Sequence, residues 1–166
     1  MPDKTTLQRA KKDKREGKAP STQAGEFVRE EIEHIREGKH GARSTKQAIA
    51  IGLSKARRAG VDLPPPKEGT VSEETRHSAE SAYRAGHTGA HDVSRTRSRA
   101  TRQALKREGH AAASKKALAK QAHAAAARKP ASARSAAARK AAMTKGASGR
   151  SAAAKKAART RSRAGT

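Results

Sequence analysis

The residues of this chain able to do chemistry are overwhelmingly cations. Residues 94–166 carry 21 Lys/Arg against one carboxylate, Glu108, so this stretch alone holds +20 of the chain's net +24. Candidate contacts among the 21 are Arg95, Arg97, Arg99, Arg102, Lys106 and Arg107, then Lys115, Lys116, Arg128 and Lys129. Beyond Pro130 come Arg134, Arg139, Lys140, Arg150, Lys155, Lys156, Arg159, Arg161 and Arg163. The spacers are mostly Ala, Ser, Thr and Gly, small enough to let the backbone approach a phosphate surface. Charges at this density displace counterions from a polyanion and hold its phosphates without reading sequence. No aromatic residue lies among them, so bases have no platform to stack on. The expected partner is duplex backbone, DNA ahead of RNA.

A second set of cations lies further forward. Lys39 and Arg43 sit in the segment 38–44, just before a helix start, where free N–H groups suit an anion. Arg57 and Arg58 crowd the end of that same helix. The segment is no P-loop, because Arg43 stands where a second Gly is required and no strand precedes it. It is also longer than the turn of a helix-turn-helix. Seven His invite a metal reading, and His87 and His91 have i,i+4 spacing, but Gly86 and Gly89 break any helix there. Without Cys there is no thiolate site either. No cofactor or metal is therefore expected. Catalysis needs a dry, preorganised pocket, and too few large apolar residues exist to wall one, so the chain does not read as an enzyme.

These cations must be carried by helices. Residues 22–60 hold the only Phe and all four Ile. Ala24, Val28, Ile32 and Ile35 recur at helical spacing over about 23–37, with Phe27 at the edge. Glu31 falls among them and requires a cationic partner or solvent. After Gly38, a helix capped by Ser44 or Thr45 runs to about Ala59, with Ala48, Ile49, Gly52, Leu53 and Ala56 on its apolar arc. Gly52 inside that arc predicts a close helix–helix approach. A short charged helix over 4–16 precedes the pair. Val61, Asp62 and Leu63 fold back before Pro64, and residues 70–85 form a further helix with a Thr70–Glu73 capping box. With mean hydropathy −0.99 and 1% aromatic residues, the remainder cannot bury enough to offset its ordering entropy. The fold class expected is all-α: a small helical hairpin module over 1–66 (core 22–60), a linker with one helix over 67–93, and a basic tail over 94–166. That tail is expected to be low in complexity and largely disordered or conditionally helical, cut by Gly109, Pro130, Gly146 and Gly149. Within it, RSAAARKAA from Arg134 returns as RSAAAKKAA from Arg150, 16 residues on.

The stretch STQAGEFVREEIEHIREGKHGARSTKQAIAIGLSKARRAGVDLPPP resembles an uncharacterised bacterial family of small basic proteins. Its members are often labelled DNA-binding or plasmid-stabilisation proteins. The tail is similar in composition to linker-histone tails. The resemblance implies no particular site residues. With the charge pattern, it leads to the expectation of sequence-independent DNA binding, nucleoid-associated or linker-histone-like, in the cytoplasm. Two alternatives stand beside it: an RNA- or ribosome-associated basic protein, and a plasmid-maintenance adaptor whose hairpin binds a protein or a second copy of itself. No apolar run approaches a membrane span, and the charged N-terminus has no secretory character, so no membrane partner is expected.

Overall fold

The computed structural model describes residues 2–89 and 94–164, and every regular element among them is helical. The elements are α1 (Lys4–Arg15), α2 (Pro20–Arg36), α3 (Thr45–Arg58), α4 (Glu73–His87), α5 (Arg95–Lys106), a 3-10 turn (Ala111–Ala113), α6 (Lys115–Ala127) and α7 (Ala131–Ala164). The chain divides into two compact units, Met1–Gln121 and Ala122–Thr166.

The first unit is built on α2 and α3. The buried apolar positions of α3 are small: Ala48, Gly52 and Ala56, four residues apart, form a flat stripe. That stripe lets α2 come close, and a Cβ added at Gly52 would lie 2.7 Å from Val28 Cα. The register is antiparallel, since Ile35 packs with Ala48, Val28 meets Gly52, and Phe27 packs with Ala56. The large residues expected on the α3 arc, Ile49 and Leu53, are only half-buried. Backbone approach has replaced side-chain bulk.

Each end of this pair is closed by a different segment. At the open end, Ala10 and Leu7 of α1 join Ala24, Phe27, Ala56, Leu53, Val61 and Leu63, so residues 61–63 do fold back onto the core. At the loop end, Ile32, Ile35, Ala42 and Ala48 are covered by Ala112, Ala113 and Leu118. The 3-10 turn is tied down on both sides. Arg36 Nε donates to the Ala113 carbonyl at 2.9 Å, and Thr45 Oγ1 to the Ala112 carbonyl at 2.7 Å. α4 lies on α3, with Ala79 and Ala82 buried and Gly86 against the Arg57 carbonyl.

Helix starts follow local chemistry, with two departures from expectation. α2 begins at Pro20, whose fixed φ suits the first helical position, so neither Ser21 nor Thr22 is its cap. α4 is capped by Ser72, whose Oγ accepts from Thr75 N; the Thr70 hydroxyl instead donates to the Lys67 carbonyl. Ser44 caps α3 as its sequence suggests, accepting from Gln47 N at 3.2 Å.

The basic tail is helical along most of its described length, which corrects the expectation of a largely disordered segment. The physical reason is a matter of magnitudes. Ala, Lys and Arg head the helix-propensity scale by several tenths of a kcal/mol per residue, while a like-charge i,i+4 pair costs about 0.2–0.5. In α7 the only such pairs are Lys155–Arg159 and Arg159–Arg163, because Ala separates the rest. The breaks fall at Gly109, Pro130 and Gly146; Gly149 stays helical. Gly146 has φ 64° and ψ 178°, so α7 is two helices, each holding one copy of the nine-residue repeat.

Candidate nucleic-acid interface

α5 carries the best-segregated charge in the molecule. Arg95, Arg99, Arg102 and Lys106 line one shallow, open surface with Ser98 and Gln103. At about 100° per residue these four cations fall within an arc of about 60°, and at 1.5 Å per residue they run about 16 Å along the axis. The helix starts cleanly because Ser94 Oγ accepts from Arg97 N. None of its residues is buried, and only Ser98 and Leu105 are partly covered.

Its C-terminal end is anchored by the loop between α2 and α3. Gly41 N donates to the Leu105 carbonyl at 2.9 Å and Ala42 N to the Gly109 carbonyl at 3.1 Å. The approach requires glycine, since a Cβ on Gly41 would lie 1.9 Å from the Glu108 carbonyl oxygen. The docking sets the loop backbone carrying Lys39 and Arg43 beside the segment carrying Lys106 and Arg107, and all four side chains are exposed. It also uses the amides that a phosphate nest would need: those of Gly41 and Ala42 are taken by carbonyls, and Arg43 N donates to Gln47 Oε1. Lys39 pairs with Glu37 at 2.9 Å, and that hydrogen bond raises its pKa.

The other tail cations singled out from the sequence, Arg97, Lys115, Lys116, Arg128, Lys129, Arg134, Arg139, Lys140, Arg150, Lys155, Lys156, Arg159, Arg161 and Arg163, are all exposed, as is Lys120. No salt bridge among the described residues involves a cation of residues 94–164. Arg150 donates to the Ala142 carbonyl across the Gly146 break. Arg58 is exposed, whereas Arg57 is 5% exposed and donates to the carbonyls of Leu63 and Pro64 at 3.1 and 3.2 Å. Burial lowers the Arg57 pKa from its ordinary value. Its charge is engaged in holding residues 63–64 to α3.

A different constellation lies at the loop end of α2. Glu31 is fully buried; Lys55 Nζ of α3 stands 2.6 Å from its Oε2 and His40 Nε2 stands 3.4 Å from its Oε1. The cationic partner that Glu31 required is thus Lys55, although neither carboxylate oxygen receives a hydrogen bond of good geometry. Glu30, also buried, has Lys55 3.6 Å from Oε1 and accepts from Asp3 N at Oε2. His34 Nε2 lies 3.4 Å from Asp3 Oδ2. One donor atom from each of Glu31, His34 and His40 falls within 4.8 Å of the others, as does one from each of Asp3, Glu30 and His34. Sequence reasoning looked for metal ligands at His87 and His91, and His91 lies outside the described residues. The available signal was Glu31-x2-His34-x5-His40: one helical turn, then a glycine turn at Gly38 (φ 75°) that folds the second imidazole back.

No helix among the described residues is long and apolar enough to cross a membrane. No curated protein and no solved structure matches the chain. The expected DNA-binding and plasmid-stabilisation labels find no support in the comparison that does succeed. Residues 14–67, running from the end of α1 through α2 and α3 to the proline-rich segment, match a family of unknown function, DUF6496.

Proposed function

We propose that the protein binds nucleic-acid duplexes through the cations of residues 94–166, without sequence preference and with DNA as the favoured partner. The single observation that carries this reading is the state of those cations: exposed, free of carboxylate partners among the described residues, and opposed by one Glu in the whole stretch. Side chains held by internal ion pairs must break them before meeting a phosphate, whereas these have none to break. The α5 stripe adds an ordered patch to an otherwise diffuse charge. The helical module over α1–α4 gives that tail a folded base, and a nucleoid-associated role follows from coating without base contacts.

The test is the response to salt. Log K should fall linearly with log salt at about −0.9 per phosphate neutralised on B-DNA, so engagement of half the 21 tail cations gives a slope of roughly −9. Fluorescence anisotropy on two unrelated DNA duplexes and one RNA duplex, from low to moderate salt, reads it. Equal affinities for the two DNA duplexes at every salt are expected, with RNA weaker. A shallow slope, or a preference for one DNA duplex of the size of base readout at about 1–3 kcal/mol per base pair, refutes sequence-independent coating. Tighter binding to the RNA duplex transfers the function to RNA.

A further inference from the structure

We infer that Glu31, His34 and His40 form a binding site for a divalent transition metal ion, Zn2+ first, that staples the α2–α3 loop to α2. The argument begins with charge. Asp3, Glu30 and Glu31 bring three carboxylates together, two of them buried, and Lys55 is the one ammonium within ion-pair distance of them, Lys39 acting on Asp3 and Glu30 from further off. Buried charges are paired or coordinate metal, and a dication supplies the balance. In a chain of net +24, a local surplus of carboxylate deep beside two imidazoles needs a reason of this kind.

One separation in the cluster matches Zn2+ directly. Bonds of about 2.1 Å to nitrogen and oxygen place tetrahedral ligands about 3.4 Å apart. The separation from His40 Nε2 to Glu31 Oε1 is 3.4 Å. His40 Nδ1 lies 3.1 Å from the Gly41 carbonyl, the partner that fixes a ligating imidazole with Nε2 free to bind. Lys55 sits on Glu31 Oε2 and so orients the carboxylate while leaving Oε1 to the ion. His34 supplies the third ligand from one turn along α2. The fourth position falls to water, since Asp3 Oδ2, 3.4 Å from His34 Nε2, groups with Glu30 and His34 and not with Glu31 and His40. Two imidazoles with one carboxylate select Zn2+ or its neighbours over Mg2+ and Ca2+, which take oxygen. The site would pin Gly41 and Ala42, the residues that hold the end of α5.

The test uses the full chain freed of metal by chelator, with Zn2+, Co2+ and Mg2+ as probes. Calorimetry should show one Zn2+ per chain, a thermal midpoint raised by the ion, and no response to Mg2+. His34→Gln and His40→Gln should each lower Zn2+ affinity by more than about 100-fold, beyond the range for loss of an outer-shell partner. His77→Gln, on the exposed surface of α4, should leave it unchanged. Co2+ should give visible d–d bands of a four- or five-coordinate site, bleached by equimolar Zn2+. Zn2+ binding retained by the double variant H34Q/H40Q overturns the proposal. If that variant is unfolded by circular dichroism, wild-type Co2+ spectra decide: octahedral, water-like bands overturn it as well. The result is independent of whether the tail binds DNA.

Discussion

At the scale of single residues, the structure separates cations that face outward from those that hold the fold. Arg57 and Arg58 are neighbours of the same chemistry, yet one is buried under residues 63–64 and the other is exposed. Removing Arg57 leaves two carbonyls without their charged donor. Arg57→Ala should lower the unfolding free energy by about 1.5–3 kcal/mol, the range for hydrogen bonds to charged groups. Urea denaturation reads that loss, and the salt slope of DNA binding should not move. Arg58→Ala should do the reverse, keeping stability and lowering the slope by at most about 0.9. A stable Arg57→Ala protein with a reduced slope would return Arg57 to the interface.

Among the elements, α7 shows how far composition alone can build structure. It has no buried core of its own, and its helicity comes from Ala, Lys and Arg propensity. The one interruption is Gly146, whose φ of 64° with ψ of 178° is closed to residues with a Cβ. Nothing lies within 4 Å of a Cβ built there, and the Arg150 hydrogen bond to the Ala142 carbonyl is the one that spans the break. Gly146→Ala should therefore fuse the two repeat-bearing halves into one helix, favoured by about 1 kcal/mol of propensity. Far-ultraviolet circular dichroism should show increased helical signal with no change in the cooperative unfolding of the rest. Unchanged or reduced helicity would mean that the break is imposed by more than the glycine.

For the molecule as a whole, stability and charge are assigned to different parts. Among the described residues, every buried one lies at or before Ala113, within the unit Met1–Gln121. Residues 122–166 contain 12 of the 21 tail cations, and none of the residues described there is buried. Deleting them should leave the urea midpoint unchanged while the salt slope of DNA binding falls by roughly half. The α5 stripe remains in the shortened protein and should sustain the residual affinity. A lost folding transition would mean that the second unit supports the first, and an undiminished slope would place the phosphate contacts on α5 and the module.

The sequence by itself determined the all-helical class, the pairing of α2 with α3, a cap at Ser44 or Thr45, the fold-back of Val61 and the asymmetry of charge. Each follows from local patterns: period 3.6 in the apolar residues, a side-chain oxygen before a helix, cations without carboxylates. It also marked Gly52 as a point of close approach, because glycine inside a helix is costly unless a neighbour needs the space. It underrated helix in the tail, since repulsion between charges was weighed above the propensity of the Ala between them. Only the tertiary structure decided what closes the loop end of the hairpin. Ala112 and Ala113 carry too little apolar surface to announce themselves, and they reach Ile35 and Ala48 across more than 60 residues of chain. The same holds for Arg57 against Arg58, where burial depends on where residues 63–64 return. The Glu31–His34–His40 cluster is of this kind too, because a turn at Gly38 and a lysine from α3 meet at one carboxylate. Local propensity reads along the chain, and these features are set by which distant backbone segments lie in contact.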